Sequence, residues 1–214
     1  MIKAAIFDVD GTLLDSMGIW EDAGARYLRG IGIEPEEGLG EILFPMTIEE
    51  GAAYVKEHYG LSADISHIVQ GVLSTVKNFY YEEASLKEGA KEFLKELYKK
   101  NIPMAAASSS EKKYIEAAFL RLGIRKYFKG IFTCGEVGKG KGDPLIYKTA
   151  GKCLGEKASE TYVFEDALYA VCTAKKAGFR TVGVYDRYSQ KDTEEIRNTS
   201  DIYMVDFNDR FYFI

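Results

Sequence analysis

Two aspartates separated by one residue, Asp8 and Asp10, follow the first apolar run of the chain. Residues 2–7 include isoleucine and phenylalanine, which pack in buried strands, so acids at the end of this run are costly unless a partner compensates them. Because side chains alternate along a strand, we expect both carboxylates to point to one side, where their like charges would favour a divalent cation. Gly11 then allows a sharp turn. Taken alone, the segment is more typical of a solvated, acid-rich turn.

Polar side chains also follow three later apolar runs, which are residues 102–107, 130–134 and 161–164. After these runs stand, in order, Ser108, Ser109 and Ser110, then Lys141, then Glu165 and Asp166. Serines at a helix start can bind an anion, a lysine on a glycine-rich loop can reach a phosphate, and carboxylates hold Mg²⁺. Each group also has a simpler interpretation, namely a helix cap, a mobile surface loop or acids at a helix start. Their joint occurrence favours one site for a metal ion and a phosphoryl group.

The glycine-rich loop before Pro144 fits most of a P-loop pattern, G-x-x-x-x-G-K, between Gly135 and Lys141. That pattern requires Ser or Thr next, to hold magnesium, and the chain has Gly142. The loop also follows a late strand instead of the first, so we do not assign a P-loop. Asp143 and Pro144 predict a helix that begins here, with an aspartate cap and proline at the first helical position.

Strand-like runs alternate with helical patterns over most of the chain. The strands are predicted at residues 2–7, 102–107, 130–134, 161–164, 180–184 and 201–205. Between them, residues 89–100 show helical spacing of apolar side chains most clearly. This alternation requires crossover connections and predicts an α/β fold, a Rossmann-like three-layer core with a parallel sheet covered on both faces. Ligands bind at the carboxyl ends of the strands in such a sheet, where the acids, serines and lysine stand.

Residues 16–85 interrupt the alternation. They carry helical patterns at 17–30, 47–59 and 63–83 and no convincing strand. We therefore predict a small α-helical cap inserted after the first strand, with residues 1–15 and 86–214 forming the Rossmann-like catalytic core.

The composition of the whole chain is that of an ordinary globular protein, with 214 residues, 46% hydrophobic content and a net charge of −5. Lysine and arginine are dispersed among acids, which argues against nucleic acid as a partner. The sequence contains no run of about 18 apolar residues, so we predict no membrane span. The N-terminal segment before the first acids is too short for a signal peptide. Cys134, Cys153 and Cys172 lack metal-type spacing, so we interpret them as small buried thiols of a reducing compartment and expect a cytoplasmic protein. The sequence is compatible with a monomer.

The four motifs resemble, in order, those of the haloacid dehalogenase superfamily of phosphotransferases. They are Asp8-x-Asp10-Gly11-Thr12, Ser108, Lys141 and Glu165-Asp166. The run of residues 10–16 and the Lys141-x-x-Pro144 spacing are especially specific, and the likeness covers essentially the whole chain. The helical insert resembles the C1-type cap of this superfamily. The subgroup resembled contains phosphoglycolate phosphatase and β-phosphoglucomutase.

This resemblance implies roles for the motif residues. Asp8 would be the nucleophile that forms an aspartyl-phosphate, and Asp10 would protonate the leaving oxygen and then deprotonate the attacking water. Mg²⁺ would be held by the Asp8 carboxylate, the Asp10 backbone carbonyl and Asp166, with Glu165 a weaker or indirect partner. The phosphoryl group would be bound by Ser108, by the backbone N–H of Ser109 and by Lys141, which also neutralises Asp8.

Asp10 favours phosphate ester chemistry, because the dehalogenases and the phosphonate-cleaving members of the superfamily lack an acid there. The resemblance therefore implies a Mg²⁺-dependent phosphatase, a phosphoric monoester hydrolase that acts on a small phosphorylated metabolite. A β-phosphoglucomutase-like sugar-phosphate mutase is the alternative, weakened because Trp20 stands where a histidine would be expected. A non-catalytic binding protein on the same fold is a third hypothesis, although a binder need not keep both aspartates.

Substrate choice would come from the cap. The candidate specificity residues are Trp20, Glu21, Phe44 and Met46. Trp20 could stack on a substrate ring or exclude solvent, but we expect it to be a buried aromatic of the cap core.

Overall fold

The structure, a computed structural model, describes residues 2–209, which divide into two compact units. The α/β unit comprises the described residues of Met1–Asp15 and Ala84–Ile214, and the helical unit is Ser16–Glu83. Ala84 and Ser85 thus belong to the α/β unit. Within residues 2–209, every helix is too short or too polar to span a bilayer.

The α/β unit is built on a six-stranded parallel sheet. The strands of the described chain are β1 (Ala4–Phe7), β2 (Leu14–Asp15), β3 (Ser85–Leu86), β4 (Met104–Ser108), β5 (Phe128–Thr133), β6 (Thr161–Glu165), β7 (Arg180–Val184) and β8 (Ile202–Met204). The sheet has the order β5-β4-β1-β6-β7-β8, and β2 pairs with β3 in a separate antiparallel ribbon. The predicted α/β fold with a parallel sheet is therefore confirmed.

Helices connect these strands and form the helical unit. Those of the described chain are α1 (Gly18–Gly30), α2 (Leu39–Leu43), α3 (Ile48–His58), α4 (Ile65–Asn78), α5 (Ala90–Lys99), α6 (Lys112–Arg121), α7 (Cys134–Val137), α8 (Leu145–Leu154), α9 (Leu168–Lys176) and α10 (Thr193–Thr199). Helix α8 begins one residue later than predicted, because the Pro144 backbone, with ψ of 1°, lies outside the helical region. Asp143 still caps this helix, since its Oδ1 accepts a hydrogen bond from the Leu145 N–H at 2.9 Å.

Both faces of the parallel sheet are covered, as its continuous apolar strands require. Ala4 and Ile6 of β1 point to one face and pack in a cluster with Ile146 of α8. Phe7 points to the other face, where its ring stacks on that of Phe164 with the centroids 4.4 Å apart. The alternation of side chains along β1 therefore joins the central strand to two separate parts of the core.

The helical unit has its own apolar core, which includes Leu28, Val55 and Ile68. Helix α3 begins with a capping box, in which Thr47 Oγ1 accepts the Glu50 N–H and Glu50 Oε2 accepts the Thr47 N–H. The sequence analysis missed α2, which is only five residues long and contains a glycine, so its periodic signal is weak. The helix predicted at 63–83 is shorter, because α4 ends at Asn78 and a π-helical turn, Phe79–Glu83, follows.

The prediction of three buried thiols was wrong. Cys153 is exposed, whereas Cys134 and Cys172 are half-buried, and none of the three forms a disulfide. Cys153 lies in α8 beside the buried positions of that helix and is not one of them. Helical position, which the amino-acid type does not reveal, decides the exposure here.

Candidate active site

The strand order places the ends of β1 and β6 side by side at the middle of the sheet. From β1 the chain adds strands β4 and β5 on one side, and from β6 it adds β7 and β8 on the other. The strand order therefore reverses between β1 and β6, and a crevice forms there at the carboxyl ends of the strands. Asp8 follows β1 directly, and β6 ends at Glu165. Because β1 stops at Phe7, Asp8 and Asp10 lie in the loop, and strand alternation does not determine where they point. Gly11 has a positive φ of 84°, as the predicted sharp turn requires.

A buried lysine links two of the acids. Lys141 Nζ donates hydrogen bonds to Asp8 Oδ1 and to Glu165 Oε1, the latter at 2.6 Å. Lys141 is only 4% exposed, which rules out the interpretation of a solvated lysine on a surface loop. Tyr147 Oη also donates to Glu165 Oε1, at 2.7 Å. The other oxygen of Asp8, Oδ2, is buried and accepts no hydrogen bond from any residue that the structure describes.

Three acids form a group suited to a metal ion. Asp8, Glu165 and Asp166 each offer an oxygen within 4.8 Å of the others, and all three are buried. The group contains only carboxylate oxygens, the donors that Mg²⁺ prefers, and the unpartnered Asp8 Oδ2 gives a cation an oxygen to bind. The residues present therefore fit Mg²⁺. The Asp10 carboxylate is not part of this group. This agrees with the expectation that Asp10 contacts the ion through its backbone carbonyl and not through its side chain.

The pKa values of these groups reflect burial and mutual repulsion. Burial raises the pKa values of all three acids, and repulsion between their charges adds to each shift. The pKa of Glu165 is raised to about 8 and that of Asp166 to about 7. Burial acts to lower the pKa of Lys141, but the carboxylates of Asp8 and Glu165 outweigh it and raise that pKa above its ordinary value. Lys141 is therefore held as a cation among acids that bind protons more readily than usual.

Asp10 forms a second cluster with the serines that follow β4. Asp10 Oδ2 accepts hydrogen bonds from Ser110 Oγ at 2.7 Å and from Ser108 Oγ at 3.2 Å. Ser108 Oγ in turn accepts the Ser110 N–H at 2.9 Å. Ser109 is exposed, and its Oγ lies 3.6 Å from Cys134 Sγ. The structure thus brings Ser108 to Asp10 and adds Ser110, a residue of the serine run to which the family resemblance assigns no role.

Three further hydroxyls contact the acid group, and sequence reasoning had given none of them a role. Thr12 Oγ1 donates to Asp166 Oδ1 at 3.3 Å, Ser189 Oγ donates to Asp166 Oδ2 at 3.1 Å, and Tyr147 binds Glu165 as described. A tyrosine among the apolar positions of a helix needs a partner for its hydroxyl, so Tyr147 could have been suspected. Ser189 lies far along the chain in a polar stretch that carries no such signal.

The candidate specificity residues of the insert lie together within the helical unit. Trp20, Glu21, Phe44 and Met46 line one largely apolar pocket of about 250 Å³. Trp20 is 41% exposed, so the expectation of a buried aromatic was wrong. Its neighbour Ile19 is buried instead, because adjacent helical residues point about 100° apart.

The fold and the site together define a Rossmann-like α/β protein. It has buried carboxylates, a lysine and hydroxyls in the crevice between β1 and β6, at the carboxyl ends of the strands. A family model described as haloacid dehalogenase-like hydrolase matches residues 5–184. The chain belongs to this family.

Relatives that are named as phosphatases indicate that the chain is an enzyme. The chain is 30% identical over 185 residues to validoxylamine A 7'-phosphate phosphatase of Streptomyces hygroscopicus subsp. limoneus, covering 86% of each protein. It is 27% identical over 181 residues to a phosphorylated carbohydrates phosphatase of Thermotoga maritima, covering 85% of this chain and 84% of the relative. A crystal structure of a provisionally named β-phosphoglucomutase from Thermotoga maritima matches with a TM-score of 0.82 and 25% identity, over 95% of this chain and 94% of that one. The relatives named as phosphatases favour a phosphatase over the non-catalytic hypothesis.

Proposed function

We propose that this protein is a Mg²⁺-dependent phosphatase that hydrolyses a small phosphorylated metabolite through an aspartyl-phosphate on Asp8. The observation that carries the proposal is the state of the Asp8 carboxylate. One oxygen is bound by Lys141, and the other is buried, accepts no hydrogen bond from the described residues and lies in the group of three acids. A buried carboxylate with an unpartnered oxygen is costly for stability alone, but it suits a nucleophile beside a cation.

In the first step, an Asp8 oxygen attacks phosphorus in line with the ester bond. The P–O bond to the metabolite breaks as the Asp8–phosphorus bond forms, and Asp10 gives a proton to the leaving oxygen. In the second step, water attacks phosphorus, Asp10 takes a proton from that water, and the Asp8–phosphorus bond breaks. Inorganic phosphate leaves, and both aspartates return to their starting protonation states.

Lys141 and the serines would stabilise the transferred group. Lys141 is already held beside Asp8, so its charge is in place as negative charge develops on the phosphoryl oxygens. Ser108 and the Ser109 N–H would bind those oxygens, and Ser108 would exchange its contact with Asp10 for one with the phosphoryl group. The hydroxyl of Ser110 would then keep Asp10 in place through its 2.7 Å hydrogen bond.

The metal would be held by the Asp8 carboxylate, the Asp10 backbone carbonyl and Asp166. Glu165 would be a weaker partner, because its Oε1 is already engaged by Lys141 and Tyr147. When bound, Mg²⁺ supplies positive charge that offsets both the acid group and the phosphoryl oxygens. Removal of metal by EDTA should abolish hydrolysis, and added MgCl₂ should restore it.

The test uses p-nitrophenyl phosphate, which needs no specific recognition of the leaving group. Asp8→Asn should lower kcat by roughly 1,000-fold or more, because the nucleophile is lost. Asp209→Asn, at an exposed acid outside the four motifs, is the matched control and should keep the wild-type rate. Mass spectrometry of rapidly quenched wild type should detect the phosphorylated protein. Full activity of Asp8→Asn would refute the proposal.

A sugar-phosphate substrate is suggested by two relatives, whose names refer to validoxylamine A 7'-phosphate and to phosphorylated carbohydrates. A panel of sugar and polyol phosphates, scored by phosphate release, would identify the substrate. The structural likeness to a provisionally named β-phosphoglucomutase keeps a mutase as the second candidate. Incubation with β-glucose 1-phosphate and a bisphosphate activator separates the two, because a mutase forms the isomer and a phosphatase releases phosphate. The cap role of the insert, the cytoplasmic location and the monomeric state stay predictions.

A further inference from the structure

We propose that Ser189 is a positioning residue that orients Asp166 for metal binding, and that Lys87 and Asp186 hold Ser189 in place. This inference rests on the proposed function, because it takes Asp166 to be a ligand of Mg²⁺. Ser189, Lys87 and Asp186 lie outside the four sequence motifs.

Two hydroxyls fix the Asp166 carboxylate, one on each oxygen. Thr12, from the loop after β1, donates to Oδ1 at 3.3 Å, and Ser189, from the turn after β7, donates to Oδ2 at 3.1 Å. Asp166 is buried, so these donors define its rotamer in a place where water is largely excluded. Each oxygen keeps a further acceptor position, which a cation can use. Outer partners of this kind orient a metal ligand and tune its affinity.

The position of Ser189 is itself determined by Asp186. Ser189 lies in the 3₁₀ turn Arg187–Asp192, and its N–H donates to the Asp186 carbonyl at 3.1 Å. The Asp186 side chain begins the same turn, since its Oδ1 accepts the Tyr188 N–H at 2.9 Å. These two bonds at the start of the turn set the direction in which the Ser189 hydroxyl points.

An ion pair between the partly buried Lys87 and the buried Asp186 holds the Asp186 side chain in place. Lys87 Nζ donates to Asp186 Oδ2 at 2.6 Å and to the Tyr185 carbonyl at 3.0 Å, and the Asp186 side chain is 2% exposed. Removing most of this pair from water carries a desolvation cost, which offsets part of what the pair contributes to stability. The contacts of Lys87 thus give the pair a role in geometry as well as a role in stability.

The contacts close into a ring around Asp166. The Lys87 N–H donates to the Leu13 carbonyl at 2.9 Å, and Leu13 adjoins Thr12, the other donor to Asp166. Lys87 thus contacts both loops: its backbone N–H binds the loop that carries Thr12, and its ammonium group binds Asp186 at the start of the turn that carries Ser189. Rotation of Asp166 away from its present orientation would break bonds to both loops.

The experiment measures Mg²⁺ binding to the complete chain by isothermal titration calorimetry, with MgCl₂ as the titrant and no substrate. Ser189→Ala should raise the Kd for Mg²⁺ by about 10-fold or more, the range seen when partners behind a metal ligand are removed. Ser189→Thr keeps a hydroxyl and should restore an affinity close to wild type. Ser200→Ala is the matched control, because Ser200 is a buried serine whose hydroxyl bonds to the Ile196 carbonyl.

The outcomes distinguish failure of this inference from failure of the proposed function. If Ser189→Ala lowers the melting temperature in EDTA but leaves the Kd for Mg²⁺ unchanged, Ser189 is only structural and the inference is overturned. An equal rise of the Kd in Ser200→Ala overturns it as well, because the effect is then not specific to the ring. If wild-type protein binds no Mg²⁺, both this inference and the metal dependence of the proposed function fail, whereas normal wild-type binding with an unaffected Ser189→Ala refutes the inference alone.

Discussion

The buried acids of the α/β unit differ in how many of their oxygens already accept protein hydrogen bonds. Glu165 Oε1 accepts two, from Lys141 and Tyr147, and each oxygen of Asp166 accepts one hydroxyl. Asp8 has one oxygen bound by Lys141 and one without a donor among the described residues. Asp8 therefore accepts the fewest of these hydrogen bonds, which agrees with its assignment as the nucleophile, because a nucleophile must keep a lone pair available.

Tyr147→Phe tests how much the hydroxyl on Glu165 contributes to stability. The variant keeps the buried ring and removes one hydrogen bond to a buried acid, so the free energy of unfolding should fall by about 1.5–3 kcal/mol. Urea denaturation measures this change. Tyr98→Phe is the control, because Tyr98 is half exposed, and its effect should stay within about 0.5 kcal/mol. Equal losses in both variants would contradict the assigned bond.

Helix α3 depends on the cap at its first turn. Thr47→Ala removes the acceptor for the Glu50 N–H and breaks the capping box, so the free energy of unfolding should fall by about 1 kcal/mol. Thr149→Ala is the matched control, since Thr149 is a half-buried residue inside α8 whose hydroxyl donates to the Leu145 carbonyl of the same helix, a position where alanine is the better helix former. Thermal denaturation should show a lower melting temperature only for Thr47→Ala, and a stability loss in Thr149→Ala of similar size would argue against the cap.

The start of α5 requires a glycine for two reasons. Gly89 has φ of 74°, and a Cβ there would lie 2.8 Å from backbone atoms of Phe207 and Asn208. Gly89→Ala should therefore cost about 3 kcal/mol or more, from strain and overlap together. Gly155 at the end of α8 has a similar φ of 84°, but a Cβ would meet no atom within 4 Å, so Gly155→Ala should cost only about 1 kcal/mol. Equal costs in urea denaturation would show that close approach of the chain does not matter at Gly89.

The stability of the whole protein should fall at acid pH partly through Asp201. Its Oδ2 accepts the Thr181 N–H at 2.8 Å and the Thr181 hydroxyl at 3.2 Å, which ties β7 to the segment before β8. Burial acts to raise the pKa of Asp201, but the Thr181 bonds and Lys175 outweigh it and lower that pKa. Folding thus favours the ionised form of Asp201. Its contribution to the free energy of unfolding is fully present above the pKa of the unfolded state, and it is lost as the pH falls through the lower pKa of the folded state.

Asp201→Asn makes this contribution measurable. Wild type should exceed the variant by about 1 kcal/mol in free energy of unfolding near pH 7, and the gap should shrink toward pH 3 as wild-type Asp201 takes up a proton. Glu57→Gln, at an exposed acid of α3, is the control and should change the free energy of unfolding by no more than about 0.5 kcal/mol. A gap that widens on acidification would contradict the lowered pKa of Asp201.

Short-range patterns in the sequence predicted the six strands of the parallel sheet, and every predicted strand end lies within two residues of the observed one. They also indicated which strand ends carry acids, serines and lysine. These features are local, because an apolar run followed by a polar residue makes a buried strand end wherever the strand lies. The alternation of strands and helices then predicts crossover connections and hence a parallel sheet, but it does not give the order of the strands.

The tertiary structure alone decided which side chains meet. Thr12 and Asp166 are 154 positions apart, and Ser189 reaches Asp166 only because β6 and β7 are neighbours and the turn at Asp186 points back toward the acid. The burial of Lys141, the exposure of Trp20 and the binding of Ser108 to Asp10 likewise depend on packing. Residue types and spacing could identify the acids of the site, but hydrogen bonds between distant segments depend on the path of the folded chain, which no local pattern encodes.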